Sequence, residues 1–270
     1  MITALYRAAS MLLLVLLTQA PALLAQNAAG PGATTESNSA AGQAQAHRRG
    51  PQRFMLTNSE GAVIQLWQPD LSILPLTAGH GGITLPRTGV DNYHALVVER
   101  DWGDLKEALI HYVYMRGKPS GHSTSELTKA EKTTFEVVPN PVPREHQHYR
   151  SDQHWNFLLR FNGAPATNIP VVLETSNGTR LNVVSDSKGE FSLHIPDDFS
   201  QLEAGGRDRR AAEFTVTAEI TDGGISYQTQ LSAEYQVNPS RWQSQELGVF
   251  ITGIGLLAGG LLGRKAGGSS

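Results

Sequence analysis

Between Phe54 and Val237 the apolar positions fall in short runs separated by turn residues. The first are "RFMLTNSEGAVIQLWQP", "GGITLPRTG" and "NYHALVVERD", and runs of this length bounded by Gly, Pro, Asn and Asp read as β-strands. Asn58-Ser59-Glu60-Gly61 reads as a hairpin connection inside the first stretch. One segment breaks the pattern. In "DWGDLKEALIHYVYMRG", Trp102, Leu105, Leu109, Tyr112 and Val113 recur at helical spacing, with Asp101 as N-cap and Gly117 as C-cap, which predicts one short amphipathic helix. The β-branched and aromatic content of "ALIHYVYM" makes a strand the rival reading.

The polar stretch "KPSGHSTSELTKAEK" is followed by "TTFEVVPNPVP", a strand halted by Pro139, Pro141 and Pro143, none of which can donate to a ladder. A domain boundary is expected there, near residue 140. Beyond it "HWNFLLRFNG", "IPVVLETSNGTRLNVVSDSKGEFSLHIP" and "AEFTVTAEITDGGISYQTQLSAEYQV" alternate apolar and polar positions. Asn177-Gly178 and Asp222-Gly223-Gly224 mark hairpins. Asn177-Gly178-Thr179 also matches a glycosylation acceptor, but Asn-Gly suits the turn itself, which is the preferred reading. The expected fold is mainly β: two immunoglobulin-like or transthyretin-like β-sandwich domains, residues 53–140 and 141–240, one short helix and a C-terminal transmembrane helix. Trp67 and Trp155 are expected as core anchors of the two sandwiches.

The two ends are organised differently. Residues 1–25 carry Arg7 as their only charge before "MLLLVLLTQAPALLA", the pattern of a signal peptide, with an uncleaved N-terminal anchor as the alternative. Residues 26–52 are rich in Ala, Gly, Ser, Gln and Asn, a composition that buries too little to offset ordering entropy and reads as a disordered tether. The run Leu247–Gly263 is uncharged and, at ~1.5 Å per residue, about 26 Å long as a helix, enough to reach across a bilayer. Gly255, Gly259 and Gly263 recur every fourth position, leaving one helix face open to close approach by a membrane partner or a second copy. Arg264 and Lys265 then suit a cytoplasmic tail over 264–270. The expected topology is a single-pass protein of the cytoplasmic (inner) membrane with its body in the periplasm, and Trp242 as an interfacial anchor.

Composition narrows the chemistry. The net charge is −3, with no concentrated basic face, which argues against a nucleic-acid partner. The chain has no cysteine, so thiol chemistry, disulfides and cysteine-ligated zinc are all excluded. The stretch "REHQHYRSDQHW" concentrates His146, His148 and His154. In an extended segment His146 and His148 share a face, and His154 could complete a site for Ni, Co, Cu or Zn, with Glu145 or Asp152 as an oxygen ligand. A solvated connector is the competing reading of the same residues. "AGHGGITLP" around His80 lacks the Lys-Ser/Thr of a phosphate cradle and reads as a turn; "GGRDRR" over 205–210 reads as a solvated loop. No nucleophile elbow or His-Glu-x-x-His pattern occurs, so no enzyme is expected.

"FEVVPNPVP", "FLLRFNGAPATNIPVVLET" and "SDSKGEFSLHIP" together resemble an uncharacterised bacterial periplasmic family with a carboxypeptidase-regulatory-like or transthyretin-like sandwich, over roughly residues 93–196. The matching motifs are structural: Gly163-Ala164-Pro165 sets a turn, and Asp186, Gly189 and Phe191 form a turn with an inward anchor. The resemblance implies an association with nickel or cobalt uptake. Many members begin the mature chain with a histidine-rich segment, whereas here "QNAAG" follows the signal pattern and the nearest histidine is His47. The function expected is non-catalytic: a membrane-anchored periplasmic binding or scaffolding protein, an accessory to metal handling, with a metal carrier using the His146/His148/His154 segment and, behind it, an unrecognised hydrolase as the alternatives.

Overall fold

The computed structural model describes residues 14–15, 53–56, 59–80, 82–144, 148–200 and 208–241. In chain order the strands are β1 (Leu14–Val15), β2 (Arg53–Leu56), β3 (Val63–Trp67), β4 (Ile73–Leu76), β5 (Ala78–Gly79), β6 (Gly82–Thr84), β7 (Val90–Asp101), β8 (Leu105–Met115) and β9 (Lys118–Pro119). Helix α1 (Thr124–Lys129) precedes β10 (Phe135–Pro139), β11 (Tyr149–Arg150), β12 (Gln153–Phe161) and β13 (Ala164–Pro165). The chain then forms β14 (Pro170–Thr175), β15 (Arg180–Val184), β16 (Glu190–Ile195), β17 (Ala211–Asp222), β18 (Ile225–Gln236) and a 3-10 turn at Pro239–Arg241. Two compact units result, one of residues 1–60 with 76–88, the other of 61–75 with 89–270.

The first unit holds a small antiparallel sheet in the order β1-β2-β6-β5. Phe54 lies opposite Ile83, and both are buried. His80 lies in the β5–β6 turn, as its glycine-rich setting predicts. Among the described residues β2 pairs with β6 and β3 with β7, with no ladder between β2 and β3 for the expected hairpin, whose Asn58 lies outside them. Long-range pairing overrides the local turn chemistry here.

The second unit is a β-sandwich. One sheet runs β15-β14-β17-β18-β8-β7-β3-β4, and the other joins β10, β12, β13 and β16. Their facing side chains form one core. Phe135, Val137, Phe157, Leu159, Phe191, Leu193 and Ile195 come from the smaller sheet and Ile110, Val171, Leu173, Phe214, Val216, Leu231 and Tyr235 from the larger. Strict alternation along β16, buried at Phe191, Leu193 and Ile195 and exposed at Glu190, Ser192 and His194, is the period-two pattern of a strand covered on one face. Trp155 packs against this core, and Trp67 against a separate cluster of Ala95, Val97 and Leu127.

The helix expected over 101–117 is corrected by the structure: Leu105–Met115 is strand β8. It pairs antiparallel with β7 and parallel with β18, and Glu107 through His111 are consecutively buried. Covering both faces removes the alternation and leaves apolar residues at spacings that mimic a helix. The residue 140 boundary falls inside this unit, with β8 on one side of it paired to β18 on the other.

The helix lies instead at α1, in the stretch that looked merely polar. Ser123 and Glu126 form a reciprocal capping box, and Leu127 is the helix's buried residue. The β17–β18 hairpin turns through Gly223 and Gly224, whose φ of 57° and 82° meet the double left-handed requirement of its two-residue loop. In the β14–β15 hairpin, Asn177 donates through Nδ2 to Asp198 and to the Tyr235 hydroxyl, consistent with its turn role.

The signal, tether, transmembrane and tail segments expected at the two ends lie, apart from Leu14–Val15 and its pairing with Met55–Leu56, outside the described residues. Trp242, Gly255, Gly259 and Gly263 are likewise outside them. Among the described residues no helix is long and apolar enough to cross a membrane.

Candidate functional site

The outer face of the smaller sheet carries a cleft of about 670 Å³. Its walls are the start of β7, the end of β8, α1 and the Pro139–Arg144 turn, and its floor includes Leu158 and Arg160 of β12. The proline turn expected to mark a domain boundary is therefore part of a concave surface, with Val142 and Pro143 buried and Asn140-Pro141 in the cis form.

The cleft walls are held by hydrogen bonds. The Tyr114 hydroxyl donates to Asp91 Oδ2 at 2.7 Å, and the Tyr114 ring meets Tyr93 edge-on at 5.3 Å. Burial pushes the Tyr93 phenol up to about 12. Asn92 fixes the opposite loop: its Nδ2 donates to the His122 carbonyl at 2.8 Å and to Ser120 Oγ at 3.1 Å, and its Oδ1 accepts from Thr124 Oγ1 at 2.8 Å. An aromatic and proline lining with hydroxyls at its rim suits a ligand that offers both apolar faces and hydrogen-bonding groups.

Beneath α1 lies a buried charge cluster. Glu136 is fully buried and meets Arg160 Nε and Nη2, each at 2.8 Å from Oε1, and Lys132 Nζ at 3.4 Å from Oε2. Both cations also cap the helix end. Arg160 donates to the carbonyls of Thr128, Lys129 and Ala130, and Lys132 to those of Leu127 and Ala130. These are carbonyls that a terminating helix leaves without internal partners, and the helix dipole adds to the attraction. Burial pulls the Lys132 ammonium down to about 8, with the Glu136 carboxylate opposing the shift.

His146 and Glu145 lie outside the described residues, and His148 is an exposed residue just before β11. His154 on β12 lies directly opposite His194 on β16, with their rings stacked at 4.5 Å. Asp152, considered as an oxygen ligand, instead accepts from or pairs with His194 Nε2 at 3.0 Å. Among the described residues no group of three or more His, Asp and Glu side chains is placed to hold a metal ion. His194 was missed because only strand register brings it to His154. Its local signal, an outward position in an alternating strand, is shared by Glu190 and Ser192. In the loop read as solvated, Arg209 and Arg210 are exposed, and Arg210 pairs with Asp208 at 2.8 Å.

No family model and no curated protein matches the chain. Among solved structures, a Ca2+-stabilized adhesin that helps an Antarctic bacterium reach out and bind ice is 16% identical, covering 69% of this chain and 43% of its own, with a TM-score of 0.27. The D00-D0 domain of intimin is 10% identical over 68% of this chain and 90% of its own, with a TM-score of 0.22. The SGBP-B protein of the Bacteroides ovatus mixed-linkage glucan utilization locus, solved with a mixed-linkage heptasaccharide, is 8% identical over 69% and 62%, with a TM-score of 0.19. The chain thus spans less than half the length of the adhesin it matches.

Proposed function

We propose that the protein is a non-catalytic, membrane-anchored periplasmic binding or scaffolding protein, with an immunoglobulin-like or transthyretin-like sandwich presenting the α1 cleft to its partner. The observation that carries the reading is the cleft itself: a concave, tyrosine- and proline-lined surface whose walls are fixed by the Asp91–Tyr114 and Asn92 hydrogen bonds. Walls already ordered before binding reduce the entropy cost of association. The uncharged run Leu247–Gly263 supports anchorage, with Gly255, Gly259 and Gly263 as the packing face toward a membrane partner or a second copy. A family resemblance to proteins associated with nickel or cobalt uptake supports a place beside a metal-handling membrane system.

The anchorage is tested by washing membranes with alkaline carbonate, comparing the full chain with one truncated after Gln245. The full chain stays with the membrane and the truncated chain is released; release of both overturns the reading. A metal carrier using His146, His148 and His154 is the second reading, supported by the concentration of these histidines in the stretch 144–155.

A further inference from the structure

We propose that His154 and His194 form an open two-imidazole site for a divalent transition metal, Zn2+, Ni2+ or Cu2+, with Asp152 as the residue that orients His194. The site is separate from the cleft and does not depend on the cleft binding anything.

The register is the first observation. His154 and His194 are direct cross-strand partners in an antiparallel pair, which sets their Cβ atoms roughly 5 Å apart on the same face. Their rings are 4.5 Å apart at an interplanar angle of 15°. Metal–imidazole bonds of about 2.0–2.1 Å let one ion bridge two nitrogens separated by up to roughly 4 Å. Rotation of the His154 side chain out of the stack would carry a ring nitrogen toward His194 Nδ1 while His194 stays on Asp152. Both side chains are exposed, so the rotation displaces no core packing.

The second observation is Asp152. Its Oδ1 lies 3.0 Å from His194 Nε2, so donation from Nε2–H leaves the Nδ1 lone pair of His194 available to a metal. This is the carboxylate–histidine relay that commonly fixes the tautomer of a ligating imidazole. Asp152 is not a loosely held surface acid. Its φ is 58°, its N–H donates to the Ile195 carbonyl at 2.9 Å, and the preceding Ser151 is buried and tied to Gln236 and Asn238. The turn therefore holds the carboxylate against β16 before any ion arrives. Two protein ligands leave the remaining coordination positions to water, the arrangement of an exchangeable site rather than a closed structural one.

Imidazole ligation fixes the selectivity. Affinity rises from Ni2+ to Cu2+ and falls again at Zn2+. Each imidazole binds the ion through a ring-nitrogen lone pair, so protons compete with the metal.

The test is calorimetric titration of ZnCl2 and NiCl2 into the full chain in detergent, purified through a tag without histidine. Wild type binds one ion per chain in a saturable step. His154→Asn and His194→Asn each weaken it at least tenfold, and Asp152→Asn weakens it by roughly 10–100-fold. The double variant His146→Asn/His148→Asn stays within twofold of wild type. Circular dichroism confirms that the variants, all at exposed positions or outside the described residues, remain folded. Absence of saturable binding overturns the proposal. So does unchanged affinity in His154→Asn and His194→Asn, or loss only in the His146/His148 variant, which assigns binding to that segment instead.

Discussion

Replacing Arg160 with methionine removes, in one step, a charge partner of a fully buried carboxylate and a cation from the end of α1. Breaking a buried ion pair on one side generally costs about 3–5 kcal/mol, because the charge left behind has lost its compensation. Here Glu136 retains Lys132 Nζ at 3.4 Å and the Lys132 backbone N–H at 3.1 Å, which places the expected cost near the lower end, about 3 kcal/mol. For a folded region of this size each kcal/mol shifts the midpoint by roughly 2–4 °C, so thermal unfolding followed by circular dichroism should fall by about 6–12 °C. Arg180→Met is the internal comparison. It breaks an ion pair with Glu174 that is short, 2.7 Å, but exposed, and should cost under about 1 kcal/mol. Removing all three charges, as Lys132→Met/Glu136→Leu/Arg160→Met, should recover part of the loss, since no buried charge is left uncompensated. A single Arg160→Met variant melting within 2 °C of wild type refutes the reasoning.

His111, buried between β8 and β18 with Nδ1 3.0 Å from Ser232 Oγ, is lowered to about 4 by burial. The unfolded chain binds its proton near 6.5, so the stabilisation from keeping it neutral is present above 6.5 and is lost as pH falls toward 4. Urea midpoints measured between pH 4 and 7 should therefore rise with pH less steeply in His111→Gln than in wild type; identical slopes contradict the assignment. Gly189 has φ of 72°, and an added Cβ would sit 2.5 Å from the Leu159 carbonyl oxygen. Gly189→Ala should cost at least about 1–3 kcal/mol in denaturant unfolding, and Gly178→Ala, with open space around its Cβ position, should cost less.

The C-terminal half was largely legible from its sequence because its strands are covered on one face. Glu190–Ile195 alternates without a break, and Asp222-Gly223-Gly224 supplied the left-handed residues its hairpin needs. Strand β8 was misread for the opposite reason: with Ala108, Leu109 and Ile110 all buried, alternation is absent. Helix α1 buries Leu127 alone, so it carries no apolar stripe, yet the Ser123-x-x-Glu126 capping signal was present in the sequence. The parallel pairing of β8 with β18 joins segments more than a hundred residues apart, and local periodicity contains no information about it. The same holds for the candidate sites. Tyr93, Tyr114 and Leu158 reach one cleft, and His154 reaches His194, only through strand register.

The proposed function makes the cleft beside α1 the surface that meets a partner. A photo-cross-linking amino acid placed at Ser125, on the cleft wall, and another at Lys188, an exposed turn position outside the cleft lining, test it in the full chain in native membranes. A discrete adduct is expected from position 125, lost when Leu158→Arg fills the floor, and none from position 188. Equal adducts from both positions, or an adduct at 125 that survives Leu158→Arg, contradict it.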